Sequence, residues 1–192
     1  MRRLLAMAVV VACVSAVWGQ DKAVVSGDPL TAEQQTIYRN FFSSYSNGAK
    51  TTVNVADTTM RFHPQDMDRQ GCLKKLNLGA DPEKEHKLTA AALPEHGYVL
   101  VDPEAGREKV RENDPENSIG PGNSIEDAVR QAFAAGLLSV SEIAFSEDHH
   151  YAVFQFDFFC GRLCGHGGLV IYANDGGKWK AVEETGCSRW IS

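Results

Sequence analysis

Residues 158–168 read FFCGRLCGHGG, and three side chains in that stretch could do chemistry: Cys160, Cys164 and His166. The pair could close as a disulfide staple. Gly161, Gly165, Gly167 and Gly168 let the backbone turn sharply, and a tight turn brings two cysteines within the roughly 4.4 to 6.8 Å of Cα separation that the bond needs. The same sulfurs could run dithiol exchange, but thioredoxin-like pairs sit three apart at a helix start, where the dipole lowers the thiol pKa, and these are four apart between strands. Cys160, Cys164 and His166 could supply three metal ligands, with His149 or His150 as a fourth. Only half of a zinc signature is present, however, and those histidines lie about 30 Å away along a straight strand. Lastly, Cys164 could be a nucleophile with His166 as its base, given an orienting partner and an oxyanion site that glycine amides could furnish. The staple is the first expectation, because exported thiols usually pair.

Two further cysteines, Cys72 and Cys187, bring the number after residue 19 to four. Four cysteines permit three connectivities. Spacing favours Cys160–Cys164 with Cys72–Cys187, the latter closing a long loop for roughly 4 to 5 kcal/mol in the chain-entropy treatment. His149 and His150, beside Glu147 and Asp148, read as a solvated turn, and His63, His86 and His96 sit in polar surroundings. There is no Walker loop, G-x-S-x-G, H-E-x-x-H or G-x-G-x-x-G. No catalytic residue is assigned and no cofactor is implied.

The compartment follows from the first residues, MRRLLAMAVVVACVSAVWGQ. Two arginines, an apolar run from Leu4 to Val17 and small residues at Ala16 and Gly19 are the layout of a signal peptide, with cleavage after Gly19 or Ala16. The run is too short to span a bilayer, which takes roughly 20 apolar residues. Val10-Val11-Ala12-Cys13 has the shape of a lipobox, but too few residues separate it from Arg3, so lipidation at Cys13 is the lesser expectation. The mature chain is expected in the periplasm or outside the cell, with no integral membrane segment. Without residues 1–19, 17 basic residues face 25 acidic ones, a net charge of −8. Such a surface repels phosphate backbones, so nucleic acid is not an expected partner. Which partner it has is not written in the composition.

These residues must be held by a domain of about 170 residues, enough for one core. Thr31 followed by Gln34 is a capping box, and Ile37, Phe41 and Tyr45, widened by Tyr38 and Phe42, form the apolar stripe of the helix it opens. Strands are predicted at Thr51–Val55 and Gly97–Val101, with a weak helix at Cys72–Leu76. Residues 102–123 hold three prolines, three glycines and nine charges, with only Val110 and Ile119 as large apolar residues. That composition predicts a long, mobile polar loop. Ser124 caps a second helix whose buried stripe should be Ile125, Ala128, Val129, Ala132 and Phe133. Strands follow at Ser141–Ser146, Tyr151–Phe159, Leu169–Ala173 and Lys178–Glu184. Alternation in the second of these puts Ala152, Phe154, Phe156 and Phe158 on the core face and Gln155 and Asp157 opposite. The expected fold is one α+β domain over residues 20–192: an antiparallel sheet ending in a meander, packed by two helices.

The C-terminal half resembles exported bacterial proteins of uncharacterised function. The pattern runs through Ser141 to Phe145, Tyr151 to Val153, Cys160 to Gly167 (CGxLCGxG), Gly177 to Lys180 (GKWK) and Trp190 to Ser192 (WIS). That resemblance implies no reaction and transfers no catalytic residue. The Gly177–Lys180 hairpin is also similar to the late strands of NTF2-like and cystatin-like domains, which implies a curved sheet wrapped around a helix but no particular activity.

Overall fold

The structure, a computed structural model, describes residues 25–26, 28–45, 51–62, 68, 71–80, 82–119, 122, 124–182 and 189–191. The expected signal peptide, with Cys13, lies outside them, as do His63, Cys187 and the side chain of Cys72.

Helix α1, Ala32–Ser44, begins as its sequence dictates. Thr31 Oγ1 accepts the Gln34 N–H at 3.2 Å and Gln34 Oε1 accepts the Thr31 N–H at 2.9 Å, which satisfies free amides at the helix start. Its stripe of Ile37, Tyr38, Phe41 and Phe42 is buried. Strand β1 (Val25–Ser26) pairs with β3 (Glu85–His86) in a small separate sheet. Among the described residues the main sheet has eight strands: β2 (Val53–Ala56), β4 (Tyr98–Val101), β5 (Leu137–Val140), β6 (Ala144–Phe145), β7 (Tyr151–Gly161), β8 (Cys164–Asp175), β9 (Lys178–Ala181) and β10 (Arg189–Ile191). Its spine runs β10-β8-β7-β5-β2-β4, with β6 on β7 and β9 on β8.

The class is α+β, but the sheet is mixed. The meander from β5 to β9 is antiparallel, whereas β2 runs parallel to both β4 and β5. Strands that run parallel in one sheet need a long crossover, and the helices of residues 103–135 supply the one that carries the chain from β4 past β2 to β5. There are accordingly more than the two expected helices: α2 (Pro103–Glu112), α3 (Pro115–Ser118) and α4 (Ile125–Ala135) join α1 among the described residues.

The stretch expected as a loop therefore carries two helices, and packing explains why so few large apolar residues suffice. Asp102 accepts the N–H groups of Glu104 and Ala105, both at 3.0 Å, and Pro103 occupies the first helical position. Gly106 lets α2 lie directly on the sheet, since a Cβ there would stand 2.8 Å from Leu137 Cδ1 and 3.3 Å from Val101 Cγ2. Val110 completes the contact with Ala56 and Leu137.

Helix α4 differs in its face. Ser124 caps it as expected, accepting the Asp127 N–H at 3.1 Å. The buried residues are Ala128, Ala132 and Ala135, while Ile125 is 66% exposed and Val129 40%. Small side chains face inward because the backbone approaches closely, and at Gly136 a Cβ would overlap the Phe158 ring.

Helix α1 sits on the Phe154, Phe156 and Phe158 face of β7, with the Tyr38 and Phe41 rings edge-on to Phe154 at 5.4 and 5.3 Å. Each such ring buried contributes about 1.5 to 3 kcal/mol. The opposite face of β7 is covered too. Val153 packs with Phe62, Leu73 and Ala144, and Asp157 is buried rather than solvated.

Candidate functional site

Strands β7 and β8 form one long hairpin whose tip holds the cysteines. The register slips between Phe159 and Gly161, a bulge at Cys160, and Gly161 then pairs with Cys164. The sulfurs of Cys160 and Cys164 are bonded to each other across a Cα separation of 5.0 Å. The bond takes both out of thiolate chemistry, which nucleophilic attack and metal ligation require. Cys160 is buried in the main core.

The tip is docked, not free. Asp114 Oδ2 accepts the Arg162 N–H at 2.9 Å and faces Arg162 Nε at 3.4 Å, while Oδ1 accepts the Glu116 N–H at 3.0 Å and so caps α3. Arg162 also pairs with Glu116. The Arg162 amide, the Glu116 amide and the Arg162 guanidinium hold the Asp114 carboxyl below its ordinary range against the pull of burial. Gly161 permits the approach, because a Cβ would come 2.7 Å from Pro115 Cδ.

Glycines 165 and 167 face one side of β8 and His166 the other. Trp190 of β10 stands opposite Gly167 and lays its indole over both glycines, in contact at distances where a side chain would not fit. Its Nε1–H donates to Asp157 Oδ1 at 3.0 Å, and Gln155 Nε2 donates to Oδ2 at 2.8 Å. Burial pushes the Asp157 carboxyl up despite these bonds. On the other side, His166 lies parallel to Tyr45 (16°, centroids 5.9 Å apart) and against Phe158 at 5.3 Å. Its Nε2 is hydrogen-bonded to Tyr45 Oη at 3.1 Å. Burial pulls the imidazole below its ordinary 6.5, so at neutral pH it is an uncharged member of an aromatic layer.

His149 and His150 sit at the far end of the hairpin. His149 is more than a solvated turn residue. It adopts a left-handed backbone (φ 58°), stacks on Phe145 at 4.6 Å and bonds through Nε2 to Glu33 Oε2 at 2.9 Å. Glu33 Oε1 in turn accepts the Trp179 Nε1–H at 3.0 Å, tying the start of α1 to β9. Among the described residues no group of three or more His, Cys, Asp or Glu side chains is arranged to hold a metal ion, and no helix is long and apolar enough to cross a membrane.

A polar cluster that the sequence reading did not single out lies under β5 and β6. Glu142 is buried, and its Oε1 accepts the His86 N–H at 2.9 Å, faces His86 Nδ1 at 3.0 Å and accepts from Thr59 Oγ1. Among the described residues Glu142 Oε2 has no partner. Tyr38 Oη donates to the neighbouring Ser141 carbonyl at 2.7 Å. Burial, and behind it the charge of Glu142, push that phenol well up. Glu142 thus fastens the small β1–β3 sheet to the main one and orients the His86 ring through Nδ1. The signal available in the sequence was an acid inside an otherwise uncharged strand run, Ser141–Phe145.

Comparison with protein-family models, with curated proteins and with solved structures returns no match to this chain.

Proposed function

We propose that this protein is an exported, non-catalytic binding module, and that its sulfur-bearing hairpin tip is a brace. One observation carries the reading: the groups best suited to react at the tip are committed to structure. The two sulfurs are joined, Arg162 and Gly161 are seated on residues 114–116, and His166 is stacked on Tyr45 and Phe158 with its Nε2 bonded. A nucleophilic cysteine would need its sulfur free and a base able to reach it. Export accounts for the oxidised pair, because disulfides persist outside the reducing cytosol. The resemblance of the C-terminal half to exported bacterial proteins points the same way.

The test is a thiol count on protein purified from the exported fraction, with alkylation mapped by mass spectrometry. Residues 160 and 164 should not be alkylated without reductant, and the mature chain should begin at residue 20 or 17. Two alkylatable thiols, with the rate at Cys164 slowed by His166→Ala, would instead make Cys164 a nucleophile and His166 its base.

A further inference from the structure

We infer that strand β4 and the cleft beside it bind an extended peptide of another protein, which adds to the sheet as a ninth strand. Among the described residues strand β4 is the edge of the main sheet and pairs with β2 alone. The Val53 N–H donates to the Gly97 carbonyl at 2.9 Å and the Asp57 N–H to the Val101 carbonyl at 2.8 Å. In a parallel ladder each residue directs its N–H and its C=O to the same side. Val99 and Val101 therefore face β2, while Tyr98 and Leu100 direct both backbone groups outward, and no described residue bonds them.

An apolar edge of this kind is normally blunted with charge, proline or a bulge. At the opposite side of the sheet β9 does so, with Lys178 and Lys180, the latter bonded to Asp175 at 2.6 Å. Strand β4 reads Tyr-Val-Leu-Val, has no such device, and leaves Val99 43% exposed. A cleft of about 670 Å³ runs beside it, walled by Leu93 and Pro94 and rimmed by two charges, Arg39 and Glu95. Arg39 is steadied by its bond to the Ala91 carbonyl, and neither charge makes an ion pair with a described residue.

These features define the occupant. Outward amides and carbonyls of Tyr98 and Leu100 take a peptide backbone, the apolar walls take alternate side chains, and the rim selects an acidic group at Arg39 and a basic one at Glu95. The chemistry is that of an extended segment with alternating apolar residues and charges of opposite sign at its ends. The inference rests on the binding-module reading, yet the two fail separately. Free thiols at 160 and 164 would remove that reading and leave the β4 edge as it is, and failure of peptide binding would leave the bonded sulfurs as they are.

The probe is a fluorescein-labelled heptapeptide of alternating valine and threonine, with glutamate at one end and lysine at the other, titrated against the full mature chain by anisotropy. Saturable binding with a dissociation constant on the order of 10–100 μM is expected. Methylating alternate backbone amides of the peptide should abolish it. Leu100→Pro removes an outward N–H without touching the ladder to β2 and should weaken binding about tenfold or more. Arg39→Glu should weaken binding too, and exchanging the peptide glutamate for lysine should restore it. Hydrogen exchange supplies a readout that also checks folding. The Tyr98 and Leu100 amides should exchange faster than those of Val99 and Val101 in the free protein and slow when peptide is added, while the Val99 and Val101 amides stay protected in Leu100→Pro. The proposal is overturned by absence of saturable binding, by equal affinity for the methylated peptide, or by Leu100→Pro that folds and binds as the parent does. A concentration-dependent dimer in sedimentation that Leu100→Pro dissolves would also overturn it, since a second copy would then be the occupant.

Discussion

Replacing Gly167 by alanine places a methyl group where the structure has no room. Its Cβ would lie 2.5 Å from Asp157 Oδ1 and from the Phe156 carbonyl oxygen, and nearer still to Trp190 Nε1. The Phe156 carbonyl belongs to central strand β7 and cannot swing away, so the indole must lift or β8 must shift. Lifting the indole breaks its bond to the buried Asp157 carboxylate, a loss of about 1.5 to 3 kcal/mol for a hydrogen bond to a charged group. Residual overpacking against β7 adds about 1 to 3 kcal/mol. Gly167→Ala should therefore cost between about 2.5 and 6 kcal/mol, read as the shift of a urea unfolding curve followed by far-UV circular dichroism. Gly165→Ala should cost less. Its Cβ would meet ring carbons of Trp190 at 3.1 and 3.2 Å, which a tilt relieves, although the Phe158 carbonyl stands at 2.8 Å. The decisive comparison is a double-mutant cycle with Trp190→Ala: with the indole gone, alanine at 167 should be cheaper by at least about 1 kcal/mol, the remainder measuring the Phe156 carbonyl. A cost for Gly167→Ala below about 0.5 kcal/mol, or strict additivity in the cycle, would refute the packing described for the glycine column.

Two further outcomes follow from the same region. Reducing Cys160–Cys164, or replacing both by alanine, should cost about 2 kcal/mol, the chain-entropy value for so short a loop, measured as the difference between unfolding midpoints with and without reductant. For His166, burial lowers the folded-state pKa below the ordinary 6.5, so the folded state favours the neutral ring. Its contribution to stability is full above 6.5 and falls as the pH drops through the lowered folded value. Stability curves at pH 7.5 and 5.0 should show the parent losing more than His166→Phe, and equal losses in the two proteins would contradict the buried, neutral imidazole.

What could be read from the residues was what a few neighbours decide among themselves. Thr31 and Gln34 are three apart and cap α1 whatever surrounds it. The recurrence of Ile37, Phe41 and Tyr45 marks a stripe on any helix, and two cysteines four apart in a glycine-rich turn are already within reach of a bond. Asp102-Pro103 and Asp114-Pro115 were legible helix starts as well, but the charge of residues 102–123 outweighed them in a reading based on composition. Only the tertiary structure settled that segment, because α2 docks through the absence of a side chain at Gly106 and one valine, and the partners Leu137 and Val101 belong to strands on either side of it in sequence. The same cause turned α4 onto its alanine face: how closely a helix approaches depends on Phe158 and the sheet beneath, not on which of its own residues are largest. The parallel pairing of β2 with β4 and β5, the union of Thr59, His86 and Glu142, and the open edge at Tyr98 and Leu100 all join or separate residues far apart in the chain. Local preference carries no information about such meetings, since their free energy exists only once the intervening chain has closed.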